Sequence, residues 1–312
     1  MKRYILMRLA GLVPVLLGIS IVTFILVHLV PCDPAEVYLR LSQIPPTPEM
    51  VAAVRADLGL DSPLHVQYLD WLWKAVRLDF GVSFVTREPV LAEITRCFPA
   101  TIQLTLASMM LVLLVSLPTG ILAALYKDSF FDQFSRALAF LGASVPNFWL
   151  GFLLMYLFSL KLDLLPVLGR GTPAHLALPA VTLALSYAAT YTRLLRTSML
   201  DSLGANFVLY ARARGLRERL VLGRHILKNA LLPVVTAFGM SAGHMLAGAV
   251  IVENVFAWPG VGRLCVSSIF NRDYPVIQCY ALVMAVIFVT CNLLVDIAYR
   301  FLDPRIKLGG NR

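Results

Sequence analysis

Apolar residues in this chain come in long unbroken blocks, without the alternation or the three-to-four spacing of half-buried elements in a soluble domain. Six blocks cover about 9–30, 101–126, 137–160, 174–192, 230–252 and 275–299. A helix crosses the hydrocarbon of a bilayer with roughly 20 apolar residues. Only helices and closed barrels do so without stranding backbone polar groups. The blocks predict an all-α integral membrane protein with six transmembrane helices. The fourth is the least apolar, with Pro179, Ser186 and several Thr and Tyr, and suits a tilted span or one lining a polar path. Pro14, Pro118 and Pro179 are expected to mark kinks, tolerated where neighbouring helices satisfy the freed carbonyls.

The first block, preceded by Lys2, Arg3 and Arg8, exceeds the apolar region of a signal peptide. Pro31-Cys32-Asp33-Pro34 after it is no small-residue cleavage site, so a retained first span is expected. Lys and Arg then orient the chain. With the N-terminus in the cytoplasm, seventeen of them fall inside: Lys2, Arg3 and Arg8, two in 127–136, eight in 193–228, and Arg300, Arg305, Lys307 and Arg312. The two short outer loops hold only Lys161, Arg170, Arg263 and Arg272. This asymmetry places both termini in the cytoplasm.

Residues 31–100 are the long exception on the outer side. Pro45-Pro46-Thr47-Pro48-Glu49 predicts a turn with Thr47 capping a helix to about Leu58, stopped by Gly59-Leu60-Asp61-Ser62-Pro63. A second helix is expected from about Leu64 to Val76, carrying Tyr68, Trp71 and Trp73, and Leu78-Asp79-Phe80-Gly81-Val82-Ser83 follows. Those tryptophans suit either interfacial anchoring or contact with a partner. The expected organisation is 1–30 as N-terminus and first span, 31–100 as outer subdomain, and 101–312 as a core with an inner loop at 193–228.

Composition agrees with the pattern. The chain is 59% hydrophobic and 14% charged, where soluble domains are about half apolar and a quarter charged. The net charge of +9 sits at the ends of apolar blocks, which points to membrane orientation and away from nucleic acid. No GxxxxGK[ST] phosphate loop, HExxH pair, Ser/His/Asp arrangement or paired-cysteine metal site occurs, so no catalysis is expected. The five cysteines show no zinc spacing, and Cys32 and Cys97 suit either a disulfide or two separate thiols.

The inner loop carries the most specific pattern. Tyr210, Ala211, Arg212, Ala213, Arg214, Gly215 and Leu216 are followed by Arg224, His225, Ile226, Leu227, Lys228, Asn229, Ala230, Leu231, Leu232 and Pro233. A helix–turn–helix is expected, with Asp201 capping a helix to Arg214 and Gly215 ending it at positive φ. These residues resemble the coupling loop of ABC importer permeases in the dipeptide, oligopeptide and nickel branch. In that branch an A-R-A-[KR]-G-L core precedes R-H-x-L-[RK]-N-A-x-[LI]-P. This chain departs from the wider family by holding Leu209 where the motif's Glu belongs.

The resemblance extends along the chain. Glu253, Asn254, Val255, Phe256, Ala257, Trp258, Pro259, Gly260, Val261 and Gly262 resemble the family's E-x-[IV]-F-x-x-P-G-[LIV]-G stretch. Leu302-Asp303-Pro304-Arg305-Ile306 resembles its L-D-P-R-[IV] ending. Arg40-Leu41-Ser42, Pro45–Met50 and Phe256-Ala257-Trp258 look most like the first permease of nickel importers. The resemblance implies a type I ABC importer permease fold and a non-catalytic translocation subunit in the cytoplasmic (inner) membrane. The implied partners are a second permease in a heterodimer, two ATP-binding subunits and a periplasmic or lipid-anchored solute-binding protein, alongside membrane lipid. ATP and magnesium belong to the ATP-binding subunits, and this chain binds no cofactor.

Nickel or a nickel chelate is the expected cargo, with a dipeptide or oligopeptide as the alternative. Pathway or gate candidates are Pro146, Asn147, Met240, His244, Glu253 and Asn254. Met240 and His244 are four apart and share a helix face beside Gly239, Gly243, Ala247 and Gly248, which fits a passage, weak metal contact or plain helix packing. No metal site is assigned beyond this weak pair. An ion-coupled secondary transporter is the rival class. It would need intramembrane acids and repeats, whereas Asp296 is the one acid plainly inside a block and no internal repeat is evident.

Overall fold

The computed structural model describes residues 2–302. The Asp303-Pro304-Arg305-Ile306 motif and the tail charges Lys307 and Arg312 lie outside the described residues, as does the side chain of Asp296. Thirteen α-helices follow one another among the described residues: α1 Lys2–Leu29, α2 Pro34–Leu41, α3 Pro48–Asp57, α4 Leu64–Val76, α5 Val90–Leu125, α6 Phe130–Ser144, α7 Asn147–Leu154, α8 Pro173–Leu203, α9 Asn206–Ala213, α10 Glu218–Leu220, α11 Lys228–Val255, α12 Val261–Asn271 and α13 Tyr274–Leu302. Two π-helical stretches, Met155–Lys161 after α7 and Val221–Leu227 between α10 and α11, complete the order. The chain divides into two compact units, residues 1–100 with 259–290, and residues 101–258 with 291–312.

In the first unit residues 31–89 fold by local capping, much as their sequence suggests. The Thr47 hydroxyl accepts the Met50 N–H to start α3, and Gly59 takes φ 69° after it ends. Asp33 caps α2 by accepting the Ala35 N–H. Its second oxygen takes Arg55 Nη1 at 2.6 Å, while Arg55 Nε reaches Asp61 at 3.0 Å. Its hydrogen bonds to these two carboxylates, that to Asp33 first, hold the Arg55 guanidinium above its ordinary pKa. The inner face of α4 lies along α1. Tyr68 and Ser20 share a hydroxyl hydrogen bond at 2.8 Å, and Phe24 meets Tyr68 edge-on at 5.4 Å.

The D-F-G-x-S sequence has a structural reason. Asp79 accepts the Gly81 N–H at 3.0 Å, and Gly81 takes φ 76°. That turn delivers Ser83 and Phe84 to Asp273, which is 1% exposed. The Asp273 carboxylate accepts the Ser83 hydroxyl at 2.5 Å and the Phe84 N–H at 3.0 Å. A buried carboxylate is costly unless hydrogen-bonded, and here it is. No disulfide joins Cys32 to Cys97.

In the second unit α8 is the central helix. It packs against α6, α7 and α11 and buries twelve residues between Leu178 and Met199. Small residues bring its neighbours close. A Cβ on Gly142 would lie 3.3 Å from Ala189 Cβ, and one on Gly151 would lie 3.5 Å from Thr182 Cγ2.

Among the described residues four helices are long and apolar enough to cross a membrane, or five when a bent pair is counted as one. They are α1 from Ala10, α5, the continuous run Glu218–Val255, and α13 to Val295. Two of the six expected spans are not among these four continuous helices. The third is broken by a 106° bend between α6 and α7, because Val145 and Pro146 leave the helical region and Pro146 disfavours helix in the residue before it. The fourth lies within α8, which is long enough but does not meet the apolar criterion. A helix enclosed by other helices needs no lipid-grade sequence. Pro14 and Pro179, by contrast, sit inside continuous helices.

One ion pair anchors this unit. Ser129 caps α6, and Asp132 in its first turn is completely buried. Arg196 of α8 grips that carboxylate with Nε at 2.5 Å and Nη2 at 2.7 Å, and the Asp128 N–H adds a bond at 3.0 Å. Arg136 stands 3.7 Å from the same carboxylate but is half exposed, so removing Arg196 leaves the buried charge only partly compensated, at a cost of up to about 3–5 kcal/mol. Arg196→Met should therefore lower the yield of folded permease sharply. The double change Asp132→Leu with Arg196→Met should recover most of it. Detergent-solubilised yield and thermal stability measure both, and an unimpaired single variant would contradict the anchor.

Candidate coupling segment and translocation surface

The inner segment is built from α8 outward. The helix α8 runs through Asp201, which therefore lies inside its last turn and does not cap the next helix as expected. Chain direction changes at Gly204 and Ala205, and Ala205 starts α9 without a side-chain cap. The end of α9 is as expected. Gly215 takes φ 73°, its N–H bonds the Arg212 carbonyl at 2.9 Å, and the Leu216 N–H bonds the Ala211 carbonyl at 3.3 Å. This pair of bonds is a Schellman motif, and glycine carries its left-handed residue at no steric cost.

Two faces result on α9. Val208 and Ala211 are buried, and the helix packs against the π-helical stretch Val221–Leu227, where Val221 and Ile226 are fully enclosed. Leu209 and Tyr210 point away at 67% and 69% exposure, with Phe207 beside them at 38%. Leu209, in the motif's acidic place, is thus an outward apolar residue. Arg212 bonds Glu218 across the turn at 2.7 Å; both are exposed, so the pair orients the loop and adds little stability. Ala213 ends α9, while Arg214 and Leu216 flank the glycine. Arg224 is exposed and His225 half-buried within the π-helical stretch, and Pro233 sits exposed inside α11.

The pathway candidates separate into three groups. Met240 and His244 lie on an exposed stripe of α11 continued by Ala247, Ile251 and Asn254. His244 Nδ1 lies 3.1 Å from the Met240 carbonyl, and Asn254 Nδ2 donates to the Val250 carbonyl at 2.7 Å. Pro146 and Asn147 sit at the break between α6 and α7, where Asn147 Oδ1 accepts the Ser186 hydroxyl of α8 at 3.0 Å. Glu253 does not share the exposed stripe. It is fully buried, one oxygen accepting the Thr101 hydroxyl at 2.5 Å. Its place one residue before Asn254 turns it about 100° around the helix, from the open face into the protein.

The chain after Glu253 closes a second Schellman turn, with Ala257 at φ 50°, the Trp258 N–H on the Glu253 carbonyl at 2.9 Å and the Ala257 N–H on the Asn254 carbonyl. Phe256 and Trp258 are buried at 2% and 1%. Among the described residues no group of three His, Cys, Asp or Glu side chains is placed to hold a metal ion. Sequence reasoning missed the Asp132–Arg196 anchor, since nothing local marks two residues 64 apart as partners.

Comparison with known proteins fixes the family. Residues 116–308 match the model described as "Binding-protein-dependent transport system inner membrane component", and residues 1–105 match its N-terminal companion. The chain is 42% identical over 308 residues to the glutathione transport system permease protein GsiC of Salmonella typhimurium, covering 98% of this chain and 99% of that protein. It is 41% identical over the same length to GsiC of Escherichia coli (strain K12). Among solved structures it resembles the inward-facing MetNI methionine ABC transporter, with TM-score 0.60 at 16% identity over 69% of this chain and 99% of that one. These relatives do not support special closeness to nickel permeases. The residues that suggested nickel have fold roles: Thr47 caps α3, and Phe256 and Trp258 fill a core. The chain belongs to the family of binding-protein-dependent transport system inner membrane components, and is a multi-pass permease of an ABC importer in its peptide and glutathione branch.

Proposed function

We propose that this permease imports short peptides of the glutathione class by ATP-driven alternating access. The cargo is inferred from relatives named for glutathione over nearly the whole chain. The observation that carries the mechanism is α9: a short helix with a fixed glycine end and an outward Phe207, Leu209 and Tyr210 face, held between α8 and the run into α11. Such a face suits a cleft on an ATP-binding subunit. In this reading Tyr210 to Leu216, Arg224, His225 and Pro233 form the coupling segment, with an apolar knob replacing the usual acid.

Two ATP-binding subunits close on ATP, pull the coupling segments of a permease heterodimer and open the cavity to a periplasmic or lipid-anchored binding protein. ATP and magnesium stay on those subunits. The open α11 stripe of Met240, His244 and Asn254 lines the path or meets the second permease, and α8 supplies the remaining crossing. Both termini are cytoplasmic. Uptake of labelled glutathione, a dipeptide and nickel ion by cells carrying the complete importer tests the cargo. Nickel accumulation without peptide uptake would overturn the peptide reading.

Gly215→Val should impair uptake while leaving membrane insertion intact, because a β-branched residue resists positive φ by about 1–2 kcal/mol. Gly215→Asn should retain more activity, since asparagine tolerates that region. Normal transport with normally stimulated ATPase in the valine variant would remove the coupling argument.

The orientation is tested with single thiols in a background lacking the native cysteines. A thiol at Glu49 should react with an impermeant reagent added outside, and one at Glu218 should be shielded in intact cells. The reverse labelling would invert the topology.

A further inference from the structure

We propose that the groove between the outer end of α1, α12 and the start of α13 binds one phospholipid of the outer leaflet, with its phosphate on Arg272. The groove encloses about 390 Å³. Its walls are mostly apolar, with Leu26 and Val27 from α1, Ile269 from α12, and Ile277 and Ala281 from α13. Both flanking long helices, Ala10–Leu29 and Tyr274–Val295, are long and apolar enough to span a membrane. The groove follows the last turns of one and the first turns of the other, so it lies at the depth where acyl chains meet headgroups.

Two polar features at this depth call for a polar ligand group. The Tyr274 hydroxyl is buried without a hydrogen-bond partner, in a residue 5% exposed that lines the groove. Leaving such a donor unpaired costs free energy, which a phosphate or ester oxygen would recover once the tyrosine ring tips its hydroxyl into the groove. Arg272 stands two residues away. It is held at φ 56° by the end of α12, where its backbone N–H bonds the Ile269 carbonyl. Its Nη1 rests on Cys32 Sγ, and among the described residues no carboxylate pairs with it. The adjacent Asp273 does not neutralise it, because that carboxylate is turned inward and committed to Ser83 and Phe84.

An aliphatic slot ending in an unneutralised guanidinium and an unpaired hydroxyl is complementary to an amphiphile with an anionic head. Arginine recognises phosphate with a planar fork of donors, and a charge-assisted bond is the stronger kind. Among phospholipids, phosphatidylglycerol carries net negative charge and phosphatidylethanolamine does not, so the former is favoured. The site concerns the lipid environment of the permease and stands apart from the cargo.

Native mass spectrometry of the intact importer, with phosphatidylglycerol, phosphatidylethanolamine or diacylglycerol added, tests the inference. One phosphatidylglycerol per copy should survive delipidation, and diacylglycerol should not. Arg272→Asn keeps a residue able to take positive φ and should weaken retention about tenfold, as expected for loss of one charge-assisted bond. Arg272→Lys should retain much of it. Ala281→Trp should block the slot while uptake persists, which separates loss of lipid from loss of fold. Equal retention by the wild type and Arg272→Asn, or equal binding of diacylglycerol, would overturn the proposal. So would a photo-crosslinker at Ile269 that captures the second permease in place of lipid.

Discussion

A backbone in hydrocarbon must satisfy its own polar groups, and this constraint shapes the long helices on which the other elements are mounted. Regular helix is the default, and each departure sits where protein can compensate. The break at Val145-Pro146 frees backbone groups beside α8, where Asn147 and Ser186 bond each other. The π-helical stretch after α10 is packed against α9 around enclosed Val221 and Ile226. Such stretches often mark functional positions in helices, and this one leads directly from the proposed coupling segment into α11.

The second unit resolves a tension between hydropathy and position. Its central helix is the least lipid-like, because its neighbours are helices. Hydroxyls on α8 are consequently used inside the protein: Thr182 bonds the Leu178 carbonyl, Tyr191 meets Ser241 at 2.6 Å and Thr192 meets Thr119 at 3.0 Å. The Arg196–Asp132 pair adds a charged tie to α6 from the same helix. Motion imposed at α9 would reach the Val221–Leu227 stretch it packs against, and through that stretch α8. The bidentate Arg196–Asp132 contact then offers a physical route from α8 to α6 for the coupling proposed above.

The first unit joins long apolar helices to the short helices α2, α3 and α4 around two apolar clusters, one of Val90, Ile94, Val261, Val276 and Cys279, the other of Val27, Val37, Phe84 and Tyr274. Caps at Asp33 and Thr47, the Arg55 bridge between two carboxylates and the buried Asp273 add specific geometry to that packing. Trp71 turns inward to Phe24, at 6.1 Å between rings, whereas Trp73 is exposed beneath Arg77 at 4.4 Å. Two tryptophans that read alike in sequence thus do different work: one packs, and the other covers a surface.

The sequence by itself determined what depends on nearby residues. Helices α3 and α4 begin and end where Thr47, Pro63 and the Gly59 turn place them, because caps and positive-φ glycines act within a few residues. The end of α9 at Gly215 follows the same rule, and the order of its motif identified the family. Tertiary structure decided what depends on distant partners. Glu253 reads as an acid at a span end, yet Thr101, 152 residues away in sequence, receives it inside the protein. Asp201 has the chemistry of a cap but lies within α8, whose packing carries the helix past it. The 174–192 block looked weak because hydropathy measures fitness for lipid, and only the packed neighbours show that α8 faces protein. Phe256-Ala257-Trp258 likewise read as a mark of the cargo, yet Phe256 and Trp258 are buried at 2% and 1%, so the feature that resembled a substrate signature is packing that only the folded neighbours reveal.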